Sequence, residues 1–312
     1  MADYLGIDTS NYTTSAAIYR LDGSIVHQKK FLPVKDGALG LRQSEAVFHH
    51  VQRLPEIILA LLAKGSHPQI AAVGATKRPR DEDGSYMPCF TVGFSTGRVV
   101  SELLNVPFYE FSHQCGHIAA ALYSVGKLEL LQRPFLAFHV SGGTTEALLV
   151  TSDPNRIIRC ELLAKTLDLH AGQVIDRVGK MLGLPFPAGP ELEKLATSVK
   201  DAIRIKICLK NGNCCLSGFE NQCRRMKDKN EPDHRIARYC IEAISQTLDM
   251  MCENLLQQYG DLPVVFAGGV TSNQIIKERL SKKYGAVFAS SEFSSDNAAG
   301  IAVLTALKAG GI

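Results

Sequence analysis

The chain has 312 residues, 46% of them hydrophobic, and 34 Lys and Arg stand against 31 Asp and Glu for a formal charge of +3. That length and apolar content suffice for a large core and about two domains or lobes, and the mild basicity permits a nucleic-acid partner without arguing for one. No run reaches the ~18 uninterrupted apolar residues of a membrane-spanning helix, and MADYLGIDTS has no secretory pattern, so a cytoplasmic protein off the membrane is expected.

The elements follow in chain order. Tyr4–Ile7 reads as a strand ending in Asp8-Thr9-Ser10. Thr14–Tyr19 and Ile25–Phe31 read as two more, split by the turn Leu21-Asp22-Gly23-Ser24. Glu45–Leu62 has apolar residues at helical spacing, with a kink or break expected at Pro55. A strand at Ile70–Ala75, a helix at Phe90–Leu104, a short strand at Pro107–Glu110 and a helix carrying His113 and His117 complete the first series.

The pattern then restarts. Strands are expected at Pro134–Val140, Thr144–Val150 and Arg156–Leu163, and a helix at Ala171–Leu182. A helical insert spans about 185–231. Helix Arg235–Tyr259, strand Pro263–Ala267, helix Ser272–Lys283, strand Ala286–Ala289 and helix Asp296–Ala309 follow. Three strands and then alternating helices and strands thus occur twice, which points to an α/β fold. The duplicated plan resembles the actin/Hsp70/sugar-kinase ATPase superfamily, whose two RNase-H-like lobes grip a nucleotide. The expected lobes are residues 1–128 and 129–312.

Three loops carry candidate chemistry. Asp8 and Ser10, at a strand end, suit a cation such as magnesium and phosphate oxygens; a side-chain-stabilised turn is the alternative. Val140-Ser141-Gly142-Gly143 lets a ligand approach the backbone, or is simply a hairpin turn. Gly268 and Gly269, followed by a helix cap at Ser272 or Asn273, suit an adenine or ribose, or an ordinary strand–turn–helix link. No Walker-type or dinucleotide glycine motif is present.

His113 and His117 stand four apart, on one helical face, as a metal pair or as two ordinary histidines. Position 114 is Gln, so the zinc-protease pattern fails. Asp296 is the candidate third ligand, and two imidazoles with one carboxylate suit iron or zinc. The nine cysteines form no C-x-x-C pair and read as buried reduced thiols. Cys208, Cys214, Cys215 and Cys223 match no common zinc spacing.

The order His-x-x-x-His, Ser-Gly-Gly, Gly172-Gln173-Val174-Ile175-Asp176-Arg177, Leu182 to Pro190, Ala-Gly-Gly-Val-x-x-Asn and Ser-Asp-Asn resembles the TsaD (YgjD) family. These are tRNA threonylcarbamoyladenosine synthases, long labelled glycoproteases. The likeness runs from Leu5 to about Ala309. It implies transfer of a threonylcarbamoyl group from its adenylate to N6 of adenine 37 in tRNA. It also implies metal ligands at His113, His117 and Asp296, and ATP or threonylcarbamoyl-adenylate held at Val140, Ser141, Gly142, Gly143, Asp176, Gly189 and Asn273. A smaller TsaB-like paralogue docking on the first lobe and an ATPase partner are implied too. No catalytic residue is assigned.

The sequence departs from that family in three places. Asn11-Tyr12-Thr13-Thr14 lacks the usual Asp-Glu pair. The charged segment Thr76–Pro88 replaces a Gly-Pro-Gly loop and either offers Arg78 and Arg80 to a phosphate or carboxylate or is a solvated loop between strand and helix. Thr144 and Glu220 stand where the family has His and Lys. These changes keep open a divergent carbamoyl- or acyl-transferase or ATPase with another acceptor, or a nucleotide-binding regulatory module. The basic residues Arg204, Lys206, Lys210, Arg224, Arg225, Lys227 and Lys229 are candidates for tRNA phosphates, or a solvated surface.

Overall fold

Each expected three-strand run forms one side of a five-stranded mixed sheet in the computed structural model, which describes residues 2–10, 12–33, 41–64, 68–82, 84–199, 203–294 and 297–312. In the first sheet β1 (Asp3–Ser10), β2 (Thr13–Tyr19) and β3 (Ile25–Phe31) are antiparallel neighbours. On the other side of β1, β4 (Ile70–Arg78) and then β5 (Phe108–Ser112) pair in parallel. Short turns suffice for antiparallel neighbours. The parallel pairs need crossovers, supplied by α1 (Gln43–Leu62) and α2 (Phe90–Leu104). All seven residues of β2 are buried, which requires cover on both faces of the sheet.

The second sheet contains β6 (Phe135–Val140), β7 (Thr145–Asp153), β8 (Ile157–Lys165), β9 (Val264–Ala267) and β10 (Val287–Phe288), in the order β10-β9-β6-β7-β8. Phe138, Phe266 and Phe288 stack across β6, β9 and β10, with ring centroids 4.6 and 5.0 Å apart. Such pairs add about 0.5–1.5 kcal/mol each beyond burial. Helices α4 (Ala171–Met181), α5 (Gly189–Thr197), α6 (Ser217–Asp228), α7 (Asp233–Tyr259) and α8 (Gln274–Tyr284) belong to the same half. The insert is helical at α5 and α6, while most of residues 203–216 lack regular structure.

The chain does not divide by one cut after residue 128. One unit is Met1–Arg133 with Thr151–Cys160 and Glu292–Ile312; the other is Pro134–Val150 with Glu161–Ser291. The last helix, α9 (Ala299–Lys308), joins the first unit because its apolar side packs on β1, β2 and β4 and on α3 (His113–Ser124). It begins at Ala299, later than expected, and Asp296 lies outside the described residues. Pro55 does not break α1. Its missing N–H leaves the Val51 carbonyl without its usual i+4 donor, on a side of the helix where both residues are exposed. Among the described residues, no helix is long and apolar enough to cross a membrane.

Candidate functional site

Parallel pairing of β1 with β4 sets Ile7 opposite Ala75, so Asp8 and Thr76 follow side by side near the ends of their strands. Asp8 is wholly buried. Its Oδ1 accepts the Thr76 hydroxyl at 2.7 Å and lies 3.2 Å from Nδ1 of His113. Oδ2 is 3.1 Å from the same nitrogen but has no aligned hydrogen-bond donor. The bond through Oδ1 is therefore the one that fixes the ring. With Nδ1–H donated to the carboxylate, a neutral His113 presents an unprotonated Nε2.

That Nε2 faces Nε2 of His117 at 2.9 Å. The two rings meet because α3 starts cleanly: the Ser112 hydroxyl accepts the Cys115 N–H at 3.2 Å, and residues four apart share a face. Two imidazole nitrogens this close need a shared proton or a cation between them. A carboxylate–histidine pair ending on a second histidine suits a metal centre's donor set, since the carboxylate fixes tautomer and orientation. The residues present fit a divalent ion.

Among the described residues, no three His, Cys, Asp or Glu side chains form a complete metal group. The expected third ligand, Asp296, lies outside them, as does Asn11. The chain just after Asp296 is fixed by α9, which crosses α3 at Gly116, between the two histidines. A Cβ on Gly300 would meet the Gly116 carbonyl, so only glycine permits that approach. The cysteine cluster makes no site either. Cys208 is exposed, Cys214 and Cys223 are buried, and burial pushes the Cys214 thiol up to about 11.

Sequence reasoning missed His50, which is buried beneath β2 with its Nδ1 2.8 Å from the Thr14 hydroxyl. Burial pushes its imidazole down to about 4, and the nearby Asp8 carboxylate opposes this. Its position in an amphipathic helix gave no signal beyond the apolar stripe. Ser10 is buried at the end of β1.

In the second unit Val140 ends β6, and Ser141 to Thr144 turn into β7. The Ser141 N–H donates to the Thr144 carbonyl at 2.7 Å, and its hydroxyl accepts the Gly143 and Thr144 N–H groups. The start of α4 presses on this turn. Gly172 donates its N–H to the Ser141 carbonyl at 3.1 Å, and a Cβ there would fall 2.7 Å from Gly142 backbone. On the other side Gly142 and Gly143 are open, with nothing within 4 Å of where a Cβ would stand, and so is Gly269.

Asp176 of α4 accepts the Ala188 N–H at 2.9 Å and so holds the approach to Gly189, the first residue of α5. Gly268 follows β9, and Asn273 caps α8 by accepting the Ile275 and Ile276 N–H groups. Of the residues expected at a nucleotide, Val140 to Gly143, Asp176, Gly189, Gly268, Gly269 and Asn273 therefore lie on α4 and around the loops that follow β6, α4 and β9 of this unit, whereas Asp8 and Ser10 belong to β1 of the first.

The departing segments are built into the structure. Arg78, expected to be on offer to a ligand, instead pairs with the buried carboxylate of Asp81 at 2.9 Å. The intervening turn brings Asp81 back to it, and the Pro79 carbonyl accepts the Gln114 N–H. Glu220 is held between Arg177 at 3.2 Å and Arg224 at 3.0 Å. Lys227 pairs with Asp233 at 2.8 Å, so part of the basic cluster is neutralised within the protein.

Comparisons with known proteins agree on fold and family. Component A of (R)-2-hydroxyglutaryl-CoA dehydratase from Acidaminococcus fermentans is similar over 99% of this chain and 100% of its own, at TM-score 0.57 and 17% identity. A ROK hexokinase from Thermus thermophilus matches 98% of each chain, at 0.52 and 14%. Full-length HypF matches 97% of this chain and 46% of its own, at 0.60 and 13%. These likenesses establish the actin-like α/β fold. The tRNA N6-adenosine threonylcarbamoyltransferase of Thermus thermophilus is 31% identical over 307 residues, 96% of this chain and 90% of that protein. The profile of the family so described matches residues 25–303, and the chain belongs to this TsaD family of transferases.

Proposed function

We propose that this protein transfers the threonylcarbamoyl group from its adenylate to N6 of adenine 37 in tRNA, in the cytoplasm, using a divalent metal held by His113, His117 and Asp296. The observation that carries the metal dependence is the 2.9 Å approach of the two Nε2 atoms behind the Asp8-anchored ring. A divalent iron or zinc ion bound there supplies Lewis acidity toward carbonyl and phosphate oxygens. Asp8 keeps His113 in the ligating tautomer, and Thr76 keeps Asp8 in place. In the second unit, the open Gly142 and Gly143 backbone accepts the adenylate, Asp176 fixes the loop before Gly189, and Gly268, Gly269 and Asn273 shape the nucleoside side. Their work is positioning.

The groove between α1 and α2, lined by Val51, Leu54, Pro55, Ile58, Leu59, Val92 and Thr96, suits the docking of a smaller TsaB-like paralogue; an ATPase partner completes the assembly. A second reading keeps the nucleotide and metal chemistry but changes the acceptor, or retains only ATP hydrolysis or nucleotide-dependent regulation. The largely buried Glu220 carboxylate, paired with the exposed Arg177 and Arg224 where the resemblance leads one to expect a lysine, favours it.

The experiment is complementation. The chain is expressed in a bacterium depleted of its own TsaD, alone and with a TsaB-like partner, and threonylcarbamoyladenosine in bulk tRNA is measured by mass spectrometry. Restored modification supports the tRNA reading. Failure by protein that binds ATP and metal and pairs with the partner supports the second.

A further inference from the structure

A second pair of reactive side chains meets beside the histidines. Cys115, on α3 between His113 and His117, has its Sγ 3.7 Å from Sγ of Cys160 on β8. The same sulfur lies 3.7 Å from Asp81 Oδ2 and 3.9 Å from the Ile158 carbonyl. Both thiols are buried, at 2% and 5% exposure. Cys115 nevertheless lines a polar cavity of 280 Å³, together with Lys77, Arg78, Asp81 and Arg156.

Lys77 and Arg156 hold 51% and 48% of their side chains in solvent, so the cavity reaches water. A water molecule's share of liquid is about 30 Å³, so a small peroxide has room to enter. Cys223 and Cys240 also meet, but both are fully buried in the apolar core of the second unit. The combination of sulfur contact with a solvent-reaching cavity therefore sets the Cys115–Cys160 pair apart from that one.

We infer that Cys115 and Cys160 form a reversible redox-modification site whose oxidant is a small hydroperoxide. The Cys115 sulfur attacks one oxygen of hydrogen peroxide; the O–O bond breaks, leaving a sulfenic acid and one water. The Cys160 sulfur attacks the Cys115 sulfur; the S–O bond breaks, the S–S bond forms, and a second water leaves. The thiols lose two electrons and two protons, and the peroxide is reduced to two waters. Closure brings the sulfurs from 3.7 Å to about 2.0 Å and ties α3, the helix presenting both imidazoles, to β8. A dithiol reductant reverses it. Cys115 is the attacking residue because it lines the cavity, and Cys160 resolves.

The test uses the full reduced chain, exposed to a small excess of hydrogen peroxide, alkylated, digested without reduction and mapped by mass spectrometry. A peptide pair joining Cys115 to Cys160, two hydrogens lighter than the reduced peptides and lost after dithiothreitol, is expected. The exposed Cys208 reports that the oxidant acted. Cys160→Ser and Cys160→Ala both lose the linked pair and accumulate a dimedone adduct on Cys115, whereas Cys115→Ser leaves Cys160 without one. Oxidised Cys208 with no Cys115–Cys160 link overturns the inference. So does a dimedone adduct on Cys160 in Cys115→Ser.

Discussion

Asp8 near the end of β1 and His113 at the start of α3 are 105 residues apart in sequence, yet the carboxylate meets the imidazole Nδ1 at 3.2 Å. This contact turns the opposite ring nitrogen toward His117. Asp8→Asn keeps the side-chain size and removes the charge. Metal affinity is expected to fall about 10–100-fold, as for other carboxylates behind a ligating histidine. Metal titration with a chelating indicator checks this, and an unchanged affinity removes Asp8 from the metal's support.

His113→Ala and His117→Ala each delete one Nε2. Metal retained after gel filtration, measured by elemental analysis, is expected to drop to background in both. Full metal content in either variant eliminates the pair as ligands.

His50 predicts an acid-sensitive fold. Its imidazole stays neutral in the folded protein down to about 4, against 6.5 when unfolded. Below pH 6.5 the unfolded chain takes up a proton that the folded chain refuses, so stability falls as pH drops through this window and levels off below about 4. The loss is on the order of 3 kcal/mol. Urea melts from pH 7 to 4 should show a shallower decline in His50→Asn, and parallel curves would exclude the effect.

Gly172→Ala tests the close approach of α4 to the Ser141–Thr144 turn. The new methyl meets Gly142 backbone at 2.7 Å, so backbone must move. A stability cost of about 1–3 kcal/mol is expected, with weaker ATP binding by calorimetry. A variant with unchanged stability and unchanged ATP affinity shows that the turn tolerates displacement.

Leu59, 68% exposed, lines the contiguous apolar groove between α1 and α2, and apolar surface of that kind marks partner sites. Leu59→Glu should leave the melting temperature within a degree or two and abolish co-purification with a TsaB-like partner. Undiminished pairing places the partner elsewhere.

Strand and helix order was legible because each element carries its own signal. The apolar run of β1, the turn between β2 and β3, the apolar spacing of α1 and the Ser-Gly-Gly turn after β6 are local. The helix cap at Asn273 and the shared face of His113 and His117 are local too, since both follow from backbone geometry over a few residues. The fate of Pro55 and Arg78 was not legible. The first depends on which face of α1 is left exposed, the second on a turn that brings Asp81 back to it.

The two strand–helix series and the family could be read from the residues alone, because periodicity, turn chemistry and ordered motifs survive without long-range contacts. That Thr76 holds Asp8, that Asp8 orients His113 and that Cys115 meets Cys160 emerged with the folded chain. It alone assigned α9 to the first unit. Those relations depend on which strands pair and how closely helices cross, and strand order and crossing distance are set by packing of residues far apart in the chain.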